Sequence, residues 1–465
     1  MFGALPLFFM ELALGQFNRQ GPITVWRICP LFKGVGFCAV TVSYFVSFYY
    51  NVIIGWSVYF IYWSFSKNLP WVGCHHGWNT DNCSVQANIS SGRSPSQEFF
   101  SRAVLETYKS EEYDLLGPPR PALVVCVALV YTVLYMCLFK GIKSSGRVVW
   151  ITALMPYVII IILLLRGVVL PGAAEGVKFY LQPDLSQLSN MQVWNDAAVQ
   201  ILFSVGAGFG VHLTYASYNE FNNNCYRDCL IATGVNSMTS FMSGFVIFIY
   251  LGFMSHQRGV PIQHVATEGP GLVFQVYPEA IATLPYPQLW AVLFFSMLIM
   301  LGIDSGMGGL ECVITGLMDE FGARFKSWHL HRRVVTLFVV GSSFLVALTS
   351  LTPGGIYVFT WLDTYSAGLA LLCSALFEAI AVGWVYGSHV LARDIQQMTG
   401  STPGLFWRCC WKFISPLFLG SVLVLGVVFS GPLSYDGFEY PLWATALGWT
   451  YALVPALFVP HWITA

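Results

Sequence analysis

The segment Phe203-Ser-Val-Gly-Ala-Gly-Phe-Gly-Val211 constrains this chain most. It lies within an apolar stretch, residues 190–219, that is long enough to cross a membrane as a helix. Three glycines, Gly206, Gly208 and Gly210, make helical backbone expensive at its centre. A break inside lipid is tolerated only where the freed N–H and C=O groups line a protein cavity or bind something. An interrupted span is therefore the strongest sequence pointer to a transport site near the bilayer midplane.

Composition places the break in a membrane. The 465 residues are 56% hydrophobic and 10% charged, against roughly 25% charged in a soluble protein. The net charge of −1 gives no electrostatic footprint for nucleic acid. Met1 leads straight into apolar sequence without a basic leader, so no cleavable signal peptide is expected. Runs of spanning length fall near 37–65, 121–139, 147–168, 190–219 (interrupted), 229–253, 288–317, 334–351, 355–385, 411–430 and 440–463, with a partial span at 1–15. The expectation is an all-α polytopic membrane protein with one transmembrane domain over 1–465.

Basic residues set the orientation. Arg19, Arg27 and Lys33, then Lys140, Lys143 and Arg147, then Arg324, Lys326, Arg332 and Arg333, then Arg393, Arg408 and Lys412 fill loops that share one side if spans alternate. That side is cytoplasmic, and the long loop 66–119 faces outward. There Cys74 and Cys83, with eight residues between them, read as a disulfide in an oxidising compartment. Asn82 and Asn88 carry glycosylation sequons on the same loop. The other cysteines read as small buried hydrophobes.

Several polar groups stand inside spans. Asp304, in Leu301-Gly-Ile-Asp-Ser305, is a carboxylate that costs several kcal/mol in lipid unless paired. With Ser305 it presents the oxygens that a hard cation prefers. Gln200 with Ser204, and Asn236 with Ser240, are each spaced four apart and so share a helix face. Such uncharged groups suit an anion or Na⁺, or simply join helices. Phe203 and Phe209 flank the break and could sandwich an aromatic or cationic ligand. Glu11 is a second intramembrane carboxylate. Gly206-x-Gly-x-Gly210 follows a helix rather than a strand, so it fails as a phosphate loop. With no metalloprotease motif and no nucleophile elbow, enzyme chemistry has no foothold.

Pro6 to Gln16, Phe48 to Ile54, Ser204 to Gly210, Ser217 to Tyr226, Leu301 to Ser305 and Gly354 to Tyr357 resemble the neurotransmitter:sodium symporter family across essentially the whole chain. The link between an interrupted span and a midplane site was drawn in part from that family and is not separate support. Pro278 to Leu284 and Asp394 to Gly400 resemble its catecholamine carriers.

The resemblance implies twelve spans with two inverted repeats of five. It implies a plasma-membrane symporter that moves a monoamine, dopamine or noradrenaline, with Na⁺ and Cl⁻ by alternating access, and it allows for a homo-oligomer. The implied substrate residues are Val46, Tyr50, Phe203, Phe209, Val211, Ser305, Gly306 and Gly309. Ser204 and Asn236 match one sodium site; Leu301 by its carbonyl, Asp304 and Ser305 match the other. Gln200, Ser204, Asn236 and Ser240 match the chloride site, where a family tyrosine is replaced by Phe9. Asp363 matches the outer gate, and Tyr218 and Asp319 the inner. Glu220 replaces a usual lysine. The partial span at 1–15 corresponds to the family's second, so the first, which supplies the acid for the substrate ammonium and part of both sodium shells, is missing. As written, the chain is expected not to transport. The rival readings are a non-transporting protein that associates with longer partners, and an amino-acid carrier of the same fold.

Overall fold

The computed structural model describes residues 2–84, 93–110, 116–265 and 269–464. Among them, nine helical stretches are long and apolar enough to cross a membrane, from Pro30–Ser64 to Leu442–Val459. The only sheet among these residues is a two-stranded hairpin pairing Ser434 and Tyr435 with Glu439 and Phe438. The chain is an all-α polytopic membrane protein.

The interrupted span at 190–219 is two helices, Met191–Val205 and Val211–Ala216. The first starts where the Asn190 side chain accepts from the Gln192 N–H, and it ends where Gly206 turns left-handed with its N–H on the Leu202 carbonyl. Gly206, Gly208 and Gly210 have φ of +79°, +87° and +74°. An L-residue pays roughly 1–2 kcal/mol in such a conformation, which is why glycine occupies all three.

Two helices run further than their apolar runs suggest. Cys225–Arg258 and Pro287–Ser327 have 34 and 41 residues. Arg324 and Lys326 lie in the last turn of the latter, where cations suit the helix dipole. The partial span forms a helix over Ala4–Asn18.

Two buried clusters make the core. The larger joins Lys33–Ser64, Pro121–Leu138, Ile142–Gly167 and Pro287–Ser327 to outer-loop aromatics, among them Trp71, Phe99 and Phe100. The smaller gathers Ala4–Asn18, the broken span and Gly368–Ile380 around Leu7, Met10, Leu213 and Leu371. Lys33–Ser64 contributes to both, so it is the wall between them.

Helices also approach closely through small residues. A β-carbon on Gly176 would come within 1.9 Å of the Phe248 carbonyl oxygen, and one on Gly252 within 2.5 Å of that of Gly172. Close backbone contact of this kind holds helices together where lipid offers no hydrophobic drive.

The outer loop carries the expected Cys74–Cys83 disulfide, with Cα atoms 5.7 Å apart. Glu98, fully buried, organises the segment beside it. It accepts from the Thr80 N–H and the Asn79 side chain, both at 3.0 Å, and from the Thr80 hydroxyl. Burial works against the Glu98 charge, but those hydrogen bonds and the Arg102 cation outweigh it and hold the carboxyl below its ordinary range. Glu279 ties the loop to the bundle by accepting from Ser96 and Arg258. Asn82 lies in this loop; Asn88 lies outside the described residues.

Candidate functional site

The glycine break leaves backbone groups without helical partners, and side chains from four other helices answer them. The Gly208 N–H donates to Glu11 Oε1 at 2.5 Å. Its carbonyl accepts from Ser374 Oγ at 3.0 Å. The Phe209 carbonyl accepts from Ser43 Oγ at 2.7 Å and from Cys312 Sγ at 3.4 Å. Glu11, fully buried, is thus explained in part: it is an acceptor aimed at a backbone donor stranded in the membrane.

Beside the break is a cavity of about 520 Å³, inside the roughly 300–1,000 Å³ range of small-molecule sites. Val46, Tyr50, Phe203, Phe209, Val211, Asp304, Ser305 and Gly309 line it. The Phe203 and Phe209 rings meet edge to face, with centroids 5.6 Å apart. The cavity is open-sided: Phe203 keeps 42% of its surface exposed.

Gly306 is placed differently. A β-carbon there would come within 2.8 Å of Asn51 Oδ1. Gly306 lets two helices close behind the cavity and does not form its wall.

Asp304 Oδ1 accepts from Thr152 Oγ1 at 2.5 Å, and Ser305 Oγ donates to the Leu301 carbonyl at 3.3 Å. Carboxylate, hydroxyl and carbonyl oxygens therefore gather within one helical turn. That donor set suits a hard monovalent cation.

On the other side of Met191–Val205 is a pocket of about 500 Å³. Gln200, Ser204, Asn236 and Ser240 all line it, with no charged residue on its walls. Asn236 Nδ2 donates to Ser204 Oγ at 3.1 Å, and Ser240 Oγ to the Asn236 carbonyl at 3.0 Å. Ser204 is the one residue that lines both cavities. Phe9 packs instead among Tyr226, Trp407 and Trp411.

At one end of the bundle, Tyr218 reaches Thr315 Oγ1 at 3.2 Å and Glu311 at 3.5 Å. Asp319 accepts from the Gly21 N–H at 2.7 Å. At the other end, Asp363 lies close to the buried Tyr49 side chain.

Sequence reasoning missed five participants. Arg332 Nη2 lies 2.7 Å from both oxygens of the buried Glu311. Thr152 partners Asp304. Glu378 bonds Glu11. His212 bonds Glu11 through Nδ1 at 2.7 Å. Of these, Glu311, Glu378 and His212 carried a signal, because each is an ionisable side chain inside an apolar span. Thr152 carried none.

A cavity at an interrupted helix, a carboxylate inside the membrane and a chain of apolar spans define a secondary-transporter architecture. The sequence matches the sodium:neurotransmitter symporter family over residues 1–465, and the chain belongs to that family. It is 51% identical over 464 residues to the sodium-dependent dopamine transporter of Bos taurus, covering 98% of this chain and 66% of that protein. It is 47% identical over 467 residues to the sodium-dependent serotonin transporter of Drosophila melanogaster, covering all of this chain and 75% of that protein. The chain thus spans about two thirds to three quarters of the length of these relatives.

Proposed function

We propose that this chain is the core of a plasma-membrane symporter that couples monoamine uptake to the sodium gradient. The observation that supports it best is spatial: the interrupted span and Asp304 face one cavity of substrate size. Membership of a sodium:neurotransmitter symporter family supports the same reading.

In this reading the aromatic walls, Tyr50, Phe203 and Phe209, enclose the amine with Val46, Val211, Ser305 and Gly309. Phe209 and Phe203 attract a cation through their ring faces. Gly306 acts from behind, by letting the helix that carries Ser305 approach. One Na⁺ is held by the Leu301 carbonyl, Asp304 and Ser305, and a second by Ser204 and Asn236. Chloride is held by Gln200, Ser204, Asn236 and Ser240, hydroxyl and amide donors with no cation among them. Ion binding favours one conformation of the carrier, and the gradient supplies the difference in occupancy between the two faces. Asp363 closes the outer side, and Tyr218 and Asp319 the inner.

The preferred substrates are dopamine and noradrenaline. The outer loop is glycosylated at Asn82 and Asn88. The carrier works as a single transmembrane domain, alone or as a homo-oligomer.

The test is uptake of labelled dopamine, noradrenaline, serotonin and leucine, under an inward Na⁺ gradient, into vesicles that hold this chain extended by the first span the family resemblance implies. Concentrative uptake of the catecholamines, absent when K⁺ replaces Na⁺, is the expected result. Concentrative uptake of leucine alone would make it an amino-acid carrier. Uptake of none would favour the non-transporting reading.

A further inference from the structure

His212 follows the glycine break by two residues and lines the same cavity. Its Nδ1 lies 2.7 Å from Glu11 Oε2, while Glu11 Oε1 holds the Gly208 N–H. The carboxylate is wholly buried, and the imidazole side chain keeps 19% of its surface exposed. The ring packs on Phe8, with centroids 4.3 Å apart. Its opposite edge borders the break: a β-carbon on Gly206 would lie 3.5 Å from Cε1 and 3.7 Å from Nε2. The imidazole is thus clamped at one nitrogen, and the other lies on the edge that borders the break.

The chemistry of the clamp decides what that second nitrogen does. A carboxylate only accepts, so Nδ1 carries the hydrogen and the neutral ring leaves Nε2 as an acceptor. An acceptor between aromatic walls recognises an N–H or O–H donor on the ligand. The other ionisable groups around it are Glu11 on Ala4–Asn18, Glu378 behind Glu11 on Gly368–Ile380, Asp304 and Cys312 on Pro287–Ser327, Tyr50 on Lys33–Ser64, and Tyr215 on its own helix. None of these side chains is a cation in the cavity. Protonating His212 would therefore put a positive charge beside a cationic ligand and turn its acceptor into a donor.

The geometry points to His212 as a substrate-recognising residue: Nε2 accepts a hydrogen bond from the bound amine's N–H or O–H, with Glu11 orienting the ring. The inference rests on the monoamine reading of the cavity and adds a specificity element to it. It predicts that this carrier favours amines with a donor in reach of Nε2 and binds them less well in acid.

The test is equilibrium binding of labelled dopamine to the intact protein in Na⁺, compared between about pH 8.5 and about pH 5.5. Wild type and the variants His212→Leu and His212→Gln are compared, with thermal melting measured in parallel. An alkylammonium stays charged across this range. Wild type should lose about tenfold in affinity between the two ends, the worth of roughly one hydrogen bond. His212→Leu should bind about tenfold more weakly at high pH, with a flattened pH profile. Gln can donate to Glu11 and still present an acceptor, so His212→Gln should bind within about threefold of wild type at high pH and lose the acid-side decline. If His212→Leu does not fold, His212→Gln decides alone, since a merely structural histidine would leave the wild-type pH profile in place. Wild-type affinity with the wild-type profile in the folded variants would overturn the role of His212 and leave the monoamine reading standing. Absence of sodium-dependent dopamine binding by wild type would overturn both.

Discussion

The two cavities that flank Met191–Val205 are of nearly equal size, about 520 and 500 Å³, yet they are chemically opposite. One holds the Asp304 carboxylate, two phenylalanine rings and the Glu11-bound imidazole. The other is lined by amide and hydroxyl groups without a charge. They meet at Ser204. In a low-dielectric setting a fixed carboxylate dominates the choice of ligand charge, because Coulomb interactions there are several times stronger than in water. A pocket of neutral N–H and O–H donors has no such bias against anions. On the proposed reading, the amine and the Na⁺ at Asp304 belong to the first cavity and chloride to the second, with the other Na⁺ at Ser204 and Asn236, where the two meet.

Asp304→Asn should break the contrast most severely. The change keeps the shape and the acceptor for Thr152 but removes the only fixed carboxylate on the wall of the amine cavity. Sodium stimulation of uptake should fall by about a hundredfold or more while surface expression holds. Normal uptake with an unchanged sodium curve would place the cation elsewhere.

Ser204→Ala strikes the shared hinge. About tenfold weaker apparent affinity for both sodium and chloride is expected, as one oxygen is lost from each pocket. If only one ion is affected, the cavities are independent and the comparison needs redrawing.

Gln200→Leu should sharpen the contrast. It removes an amide from the uncharged pocket alone, so chloride dependence should weaken by about three- to tenfold with the sodium curve unmoved. Ion-replacement uptake assays read both at once.

The smallest effect is far from either cavity, in the outer loop, where a carboxylate is held by hydrogen bonds in water-accessible protein. Glu98 is more acidic folded than unfolded, so its contribution is full above the ordinary value of 4.5 and is lost as pH falls through the lower folded value. Protection of the Asn79–Thr80 turn from hydrogen exchange, relative to the intrinsic rate at each pH, should fall in acid, below about pH 4. Glu98→Gln should exchange faster at neutral pH and lack the acid step.

Much of this arrangement was readable before any coordinates. Three glycines at alternate positions in an apolar run leave few conformations, and their left-handed φ values follow from that local cost. The Gln200/Ser204 and Asn236/Ser240 faces followed from helical spacing, and the structure brings both pairs to one pocket. Cys74 and Cys83 needed only a nine-residue reach. What was not readable is pairing across the fold. Thr152 looks like a β-branched filler of its span until helix packing places it against Asp304, 152 residues away. Glu11 had no partner in sequence because its partners, Gly208 and His212, lie at the break and on the helix beyond it, about 200 positions away. The family resemblance counts Gly306 with Ser305 among the pocket residues. On a helix, though, adjacent residues face different ways, and Gly306 turns towards Asn51.

The opposed character of the two cavities is tested most directly by locating a heavy halide. Bromide stands in for chloride and scatters anomalously, so crystals of the intact protein grown in bromide would mark the anion. The account predicts an anomalous peak within hydrogen-bond reach of Gln200, Ser204, Asn236 and Ser240, and none beside Asp304. A peak in the Asp304 cavity, or none in the pocket of uncharged donors, would contradict it.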